Sequence, residues 1–177
     1  MMVASIRVTG IEKTQQTLKN ISEDLRRGNE MHEAVTRGLM AIRNSARDLA
    51  PRDTGRLRDS IKFSLSVGVN GIGGRVYSDL PYAAPMEKGT RPFFPPPDAL
   101  IGWVRRKVMG AYRPGRGVVR HMDENTVRGV AFIIAHSISK RGLTGRWYLK
   151  RAKERNERTV ANYINCAVKR IIHTRSR

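Results

Sequence analysis

Apolar positions along this chain recur at two periods, and the period changes wherever glycine, proline or asparagine intervenes. Residues 4–9 (Ala-Ser-Ile-Arg-Val-Thr) alternate apolar with polar, which suits a short strand ended by Gly10. Over 11–27 the interval becomes three and four, with Leu18, Ile21 and Leu25 on one helical face. Gly28-Asn29 breaks that helix. The clearest helix follows. Met31, Ala34, Val35, Gly38, Leu39, Ile42, Ala46 and Leu49 keep helical spacing for about five turns. Arg37, Arg43 and Arg47 fall on its other side, and Pro51 stops it.

Beyond Pro51 the pattern shortens. Asp53 or Thr54 can cap a short helix whose apolar residues are Leu57 and Ile61. Residues 62–68 alternate, with Phe63, Leu65 and Val67 on one face, and 73–78 give a second strand around Val76. Asn70-Gly71 between them predicts a hairpin turn, since both residues tolerate positive φ. A proline-rich connection then runs through Pro81, Pro85, Pro92 and Pro95-Pro96-Pro97. Asp98 is placed to cap a helix through Leu100, Trp103, Val104 and Val108. Residues 124–139 read as helix, with Val127, Val130, Ala131, Ile134 and Ile138 on one face, and Gly142 and Gly145 follow as breakers. The last segment, about 147–172, is a long helix striped by Val160, Ile164, Ala167 and Ile171, with a frayed tail expected over 173–177. The pattern contains no repeat and no dividing linker. It predicts a single α+β domain over 1–177: several helices, including a long C-terminal one, packed on a small antiparallel sheet with a hairpin.

Composition narrows the class. The 177 residues carry 34 Lys and Arg against 15 Asp and Glu, a net charge of +19. Such a surplus favours polyanionic neighbours. It is concentrated from Ala99 to Met122, where Arg105, Arg106, Lys107, Arg113, Arg116 and Arg120 occur without any acid. Gly110, Pro114, Gly115 and Gly117 make about 109–123 an expected mobile basic loop. One cysteine, Cys166, excludes a disulfide framework and a cysteine-based zinc site. On the last helix it reads as a small core residue. The longest aliphatic run, Val130 to Ala135, is far too short to span a bilayer. No signal-peptide pattern opens the sequence. These features suit a soluble chain made in a reducing cytoplasm.

Candidate chemistry is sparse. Asp53-Thr54-Gly55 spells the aspartic-protease triplet, in which paired carboxylates share one proton. Here it sits between Ala50-Pro51-Arg52 and Arg56-Leu57-Arg58 rather than at the end of an apolar strand, so it reads as a turn. Gly71-Ile72-Gly73-Gly74 lacks the dinucleotide-binding spacing. His32, His121, His136 and His173 lack ligand spacing, and Ser60 and Ser137 lack a triad context. No catalytic, metal or cofactor site is expected. The basic stretches fit phosphate contact without base readout, because no helix-turn-helix or zinc finger accompanies them. A stand-alone basic nucleic-acid-binding protein is therefore the competing functional expectation.

Three stretches together resemble a known family. Ala50-Pro51-Arg52-Asp53-Thr54-Gly55-Arg56-Leu57-Arg58-Asp59-Ser60-Ile61 is the first. The second is Tyr82-Ala83-Ala84-Pro85-Met86-Glu87-Lys88-Gly89-Thr90-Arg91, followed by Pro96-Pro97, Ala99-Leu100 and Trp103. The third is Gly145-Arg146-Trp147-Tyr148-Leu149-Lys150-Arg151-Ala152. Their order and spacing resemble the tenth-gene-product-like neck or tail-completion proteins of long-tailed bacteriophages, also described as minor tail components. Pro85 and Trp147-Tyr148 depart from the usual pattern, where an aliphatic or aromatic residue and Pro-Phe are common.

The resemblance implies structural motif residues: Pro51, Asp53, Thr54, Gly55, Leu57, Ser60, Ile61, Tyr82, Ala83, Glu87, Gly89, Thr90, Pro97, Trp103, Gly145 and Leu149. It implies a virion protein at the head–tail joint, made in the host bacterium. Its partners would be copies of itself in a ring, six by the usual tail symmetry, and adjoining head-closure or connector and tail-terminator or tail-tube proteins. Genomic duplex DNA would be a non-specific neighbour, met by the basic residues 105–120 or masked from it by acidic protein surfaces. Inter-subunit contacts would fall on the hairpin tip, Asn70 and Gly71, and on Phe93 and Phe94.

Overall fold

The computed structural model describes residues 11–68, 71–109 and 123–175. The strand expected at 4–9, Asn70 of the expected turn, and Arg113, Arg116 and Arg120 of the expected loop lie outside these residues. The elements are α1 (Ile11–Arg27), α2 (Asn29–Leu49), α3 (Arg56–Ser60), β1 (Lys62–Gly68), β2 (Gly71–Tyr77), α4 (Ala83–Lys88), α5 (Pro97–Val104), α6 (Glu124–Arg141) and α7 (Tyr148–Arg175). A π-helical turn, Arg105–Met109, continues α5. The class is α+β, with a long C-terminal helix and an antiparallel two-stranded hairpin.

Two compact units divide the chain. The first combines α1, α2, the β1–β2 hairpin and α7; the second holds residues 50–57 and 79–147, including α4, α5 and α6. The short helix α3 carries the chain from the second unit back to the first.

In the first unit α2 and α7 pack along their lengths, because each carries one apolar stripe that water disfavours. From α2 come Met31, Ala34, Gly38, Leu39 and Ala46; from α7 come Tyr148, Ala152, Ala167 and Ile171. Small residues set the approach: a Cβ on Gly38 would lie 3.1 Å from a Val160 methyl. Asn156 clasps the pair by donating to Ser45 Oγ at 2.8 Å. Ile61, fully buried, follows α3 and precedes β1.

Arg43 and Arg47 do not point away from the packed face. The Arg43 guanidinium lies 5.3 Å from the centre of the Phe63 ring. Arg47 Nη2 donates to the Ile61 carbonyl at 3.0 Å. Long side chains at the border of an apolar stripe reach inward, a choice that periodicity cannot distinguish from solvation.

The hairpin pairs Lys62 with Tyr77 through to Gly68 with Gly71. Gly71, which the sequence put in the turn, is thus a ladder residue opposite Gly68. The alternating face holds only near the base: Phe63 and Leu65 are half-buried, whereas Val67 is 54% exposed.

In the second unit α5 and α6 bury Val104, Val127 and Ala131, surrounded by Leu100, Ile101, Val130 and Ile134. Trp103, counted among the apolar residues of this helix from the sequence, is not part of that core. It is exposed, and its neighbour Val104 is fully buried in its place. Nor does Asp98 cap the helix: Pro96 holds the N-cap position and Pro97 is the first helical residue, with Asp98 inside the first turn. The proline-rich connection also hides α4. Pro85 is its third residue, where an N–H has no intrahelical acceptor to lose.

Candidate functional site

The family-motif residues resolve into three local constructions. The first is a backbone clasp in the second unit. Residues 86–90 and 143–147 lie side by side, joined by a single antiparallel bridge between Gly89 and Thr144. Thr90 N–H donates to the Leu143 carbonyl at 2.9 Å, and Leu143 N–H returns a bond to Thr90 Oγ1 at 3.0 Å. Arg146 and Trp147 N–H groups donate to the Met86 and Glu87 carbonyls at 2.9 and 3.0 Å. The two strands of the clasp touch backbone to backbone. A Cβ on Gly145 would lie 2.6 Å from the Lys88 carbonyl carbon, and one on Gly89 2.3 Å from the Leu143 oxygen. Both glycines are there because nothing larger fits. Gly89 also has φ +82, which a side chain would strain.

Ala83 and Glu87 are buried on α4, while Tyr82, at its N-cap, is exposed. Leu149, the second residue of α7, is half-buried. The sequence singled out Glu87, Gly89, Thr90 and Gly145 but not Leu143 and Thr144, which complete the clasp. Their only signal was enclosure between the two glycines 142 and 145.

The second construction straps the 50–57 segment to the π-helical turn. Arg106 grips the Asp53 carboxylate bidentately, Nε to Oδ1 at 3.2 Å and Nη2 to Oδ2 at 2.8 Å. Lys107 Nζ donates to the Arg52 carbonyl at 2.8 Å, and Arg105 pairs with Glu124. The Arg106 hydrogen bonds hold the Asp53 carboxyl below its ordinary range, against a smaller upward push from desolvation; the Arg106 and Lys107 charges add to the lowering. Asp53 therefore binds an arginine rather than capping α3. A carboxylate kept ionised by a guanidinium is unsuited to share a proton with a second carboxylate, so the protease-like triplet has the wrong electrostatics for that chemistry. Thr54 and Gly55 form the bend before α3, and Leu57 is buried.

This strap predicts a pH effect. Asp53's folded pKa lies below its unfolded one, so its contribution is present above the unfolded value of about 3.9 and disappears as pH falls through the lowered folded value. Asp53→Asn should lower the thermal midpoint at pH 6, and the gap to wild type should close as both proteins are melted at successively lower pH toward 3.

The third construction belongs to the first unit. Ser60 and Ser78 hydroxyls meet at 2.8 Å across the base of the hairpin, beside the buried Ile61. Both serines thus fasten the hairpin.

Two further features bear on function. Phe94 packs edge-on against Phe132, with ring centres 6.1 Å apart, and Phe132 stacks on His136. Phe93, Phe94 and Phe132 are each about half exposed, and Ile133 beside them is 68% exposed. Sequence reasoning singled out Phe93 and Phe94, but not Phe132, which periodicity alone leaves as one polar-face exception on α6. Cys166 is exposed rather than core, beside the edge of the α7 stripe. Among the described residues no group of three or more His, Cys, Asp or Glu could hold a metal ion. No helix among them is long and apolar enough to cross a membrane.

No curated protein and no solved structure is significantly similar to the chain. Residues 12–89, from α1 to the Glu-x-Gly-Thr element, match a family model described as "Bacteriophage HK97-gp10, putative tail-component". The resemblance expected from the motifs is thereby found in a stretch that includes the Pro51–Ile61 signature and ends at Gly89. Over residues 12–89 the chain is thus similar to the HK97-gp10-like bacteriophage tail components.

Proposed function

We propose that this protein is a structural virion component of a tailed bacteriophage, a tail-completion subunit that repeats in a ring where the tail joins the DNA-filled head. The family match over residues 12–89 carries the reading. The clasp, the strap and the hairpin base support a role as architecture, since each spends its motif residues on holding backbone in place. A ring needs a heterologous contact that closes on itself. The exposed cluster of Phe93, Phe94, Phe132 and Ile133 offers each copy an apolar surface for it, larger than a scatter of single side chains. Six copies would match the symmetry usual for such tails, with head-closure or connector and tail-terminator or tail-tube proteins above and below. The charge of +19 suits a place beside genomic DNA and acidic neighbouring rings.

Electron microscopy of lysates from the parent phage, carrying an early stop codon in this gene, tests the placement. Full heads beside separate, complete tails are expected. Heads with truncated or missing tails would keep the protein in the tail but remove it from the joint. Intact infectious particles would remove the structural role.

A further inference from the structure

The solvent face of α7 carries a feature that neither the architecture nor the family motifs use. Arg151, Arg155, Arg158, Asn162, Asn165, Lys169 and His173 follow one another at alternating intervals of four and three, with a final four. At 100° per residue they form one straight row, opposite the stripe that packs on α2. All seven are exposed. The row runs about 27 Å from Arg151 to Lys169 at 1.5 Å per residue. The helix's two acids, Glu154 and Glu157, lie to one side of it. Among the described residues, Arg151, Arg155, Arg158 and Lys169 take part in no ion pair. By contrast, Arg105 and Arg106, the cations singled out in the sequence, are paired with Glu124 and Asp53.

We propose that this row is a contact surface for the phosphate backbone of duplex nucleic acid. Every member can donate a hydrogen bond, and arginine, lysine and asparagine are among the side chains that hold phosphate and sugar without reading bases. The row has the length and straightness of a rod lying along a strand of phosphates. It lacks what a protein partner would want, a central aromatic or aliphatic anchor. The inference does not depend on the neck placement: it concerns binding by the isolated protein.

The test uses the full chain and a short random-sequence DNA duplex labelled for fluorescence anisotropy, titrated at several salt concentrations. The variant R151Q/R155Q/R158Q/K169Q is compared with K88Q/R91Q/R128Q/K140Q, which removes the same charge from exposed positions of the second unit. The α7 variant should bind at least tenfold more weakly, and its dependence of log K on log salt should flatten by about 3 to 4. The control variant should retain most of its affinity. Acetylation of Lys169 in the unmodified protein should slow when duplex is added, while Lys88 and Lys140 react as before; this reads the face without any substitution. Absence of duplex binding, equal loss in both variants, or unprotected Lys169 would overturn the proposal. So would poly-glutamate displacing duplex and protecting Lys169 more strongly, which would assign the row to an acidic protein.

Discussion

Replacing Gly145 with alanine should destabilise the protein by about 3 kcal/mol, because the added methyl meets backbone on the opposite side of the clasp rather than a side chain that can turn away. Its Cβ would stand 2.6 Å from the Lys88 carbonyl carbon and 2.7 Å from the Glu87 and Lys88 oxygens. To relieve that, the two segments must part, and the bonds from Arg146 N–H to Met86 and from Trp147 N–H to Glu87 lengthen together. Each is worth about 1 kcal/mol net, and leaving a partner buried and unsatisfied costs more. Gly89→Ala should fall in the same range, since it adds a disfavoured φ to a contact of 2.3 Å with the Leu143 oxygen. Gly129→Ala supplies the contrast. Gly129 lies inside α6 with open space around its Cα, so alanine there should stabilise by about 1 kcal/mol through helix propensity. Urea unfolding of the three variants checks both signs. Unchanged stability in Gly145→Ala would mean that the clasp is looser than its geometry.

Ile61→Ala should cost about 3 kcal/mol, within the range for emptying a sealed site. Ile61 is fully buried, and its carbonyl is held by Arg47 while its neighbour Ser60 is tied to Ser78. These fastenings leave the surroundings little freedom to collapse into the space, which places the cost above simple loss of transfer energy. Ile61→Val removes one methylene and should cost about 1 kcal/mol by the same urea measurement. A ratio near one between the two would show that the site relaxes.

The sequence made the long elements legible because their apolar residues had to satisfy a single packing face. Helix α2 was readable from Met31 to Leu49, and α7 from its Val160–Ile171 stripe, because in each the stripe is what burial demands. Helix α4 was not readable. A proline in its first turn looks like a breaker unless the start of the helix is known, and that start has no side-chain cap to announce it. The clasp was half legible. Glu87, Gly89, Thr90 and Gly145 stood out as motif residues, yet nothing local says that 86–90 and 143–147 are neighbours, since backbone pairing leaves little mark on side-chain identity. The pairing of Arg106 was illegible for a related reason. Its abundance of basic neighbours suggested a phosphate ligand, while its partner, Asp53, lies far back in the chain. Trp147 explains one departure from the family pattern: its φ of 52° and its N–H bond to Glu87 exclude proline at that position.

The first unit is interrupted in sequence by the second, and this bears on how the protein is made. Helix α2 leaves the ribosome with its apolar stripe complete, but α7, which covers that stripe, is translated only after everything from Ala50 to Trp147. Until then the stripe of one nascent chain is free to meet that of another, and pairing two helices so far apart in sequence is intrinsically slow. Rapid overproduction should therefore favour inclusion bodies, and slower synthesis at low temperature should favour the folded product.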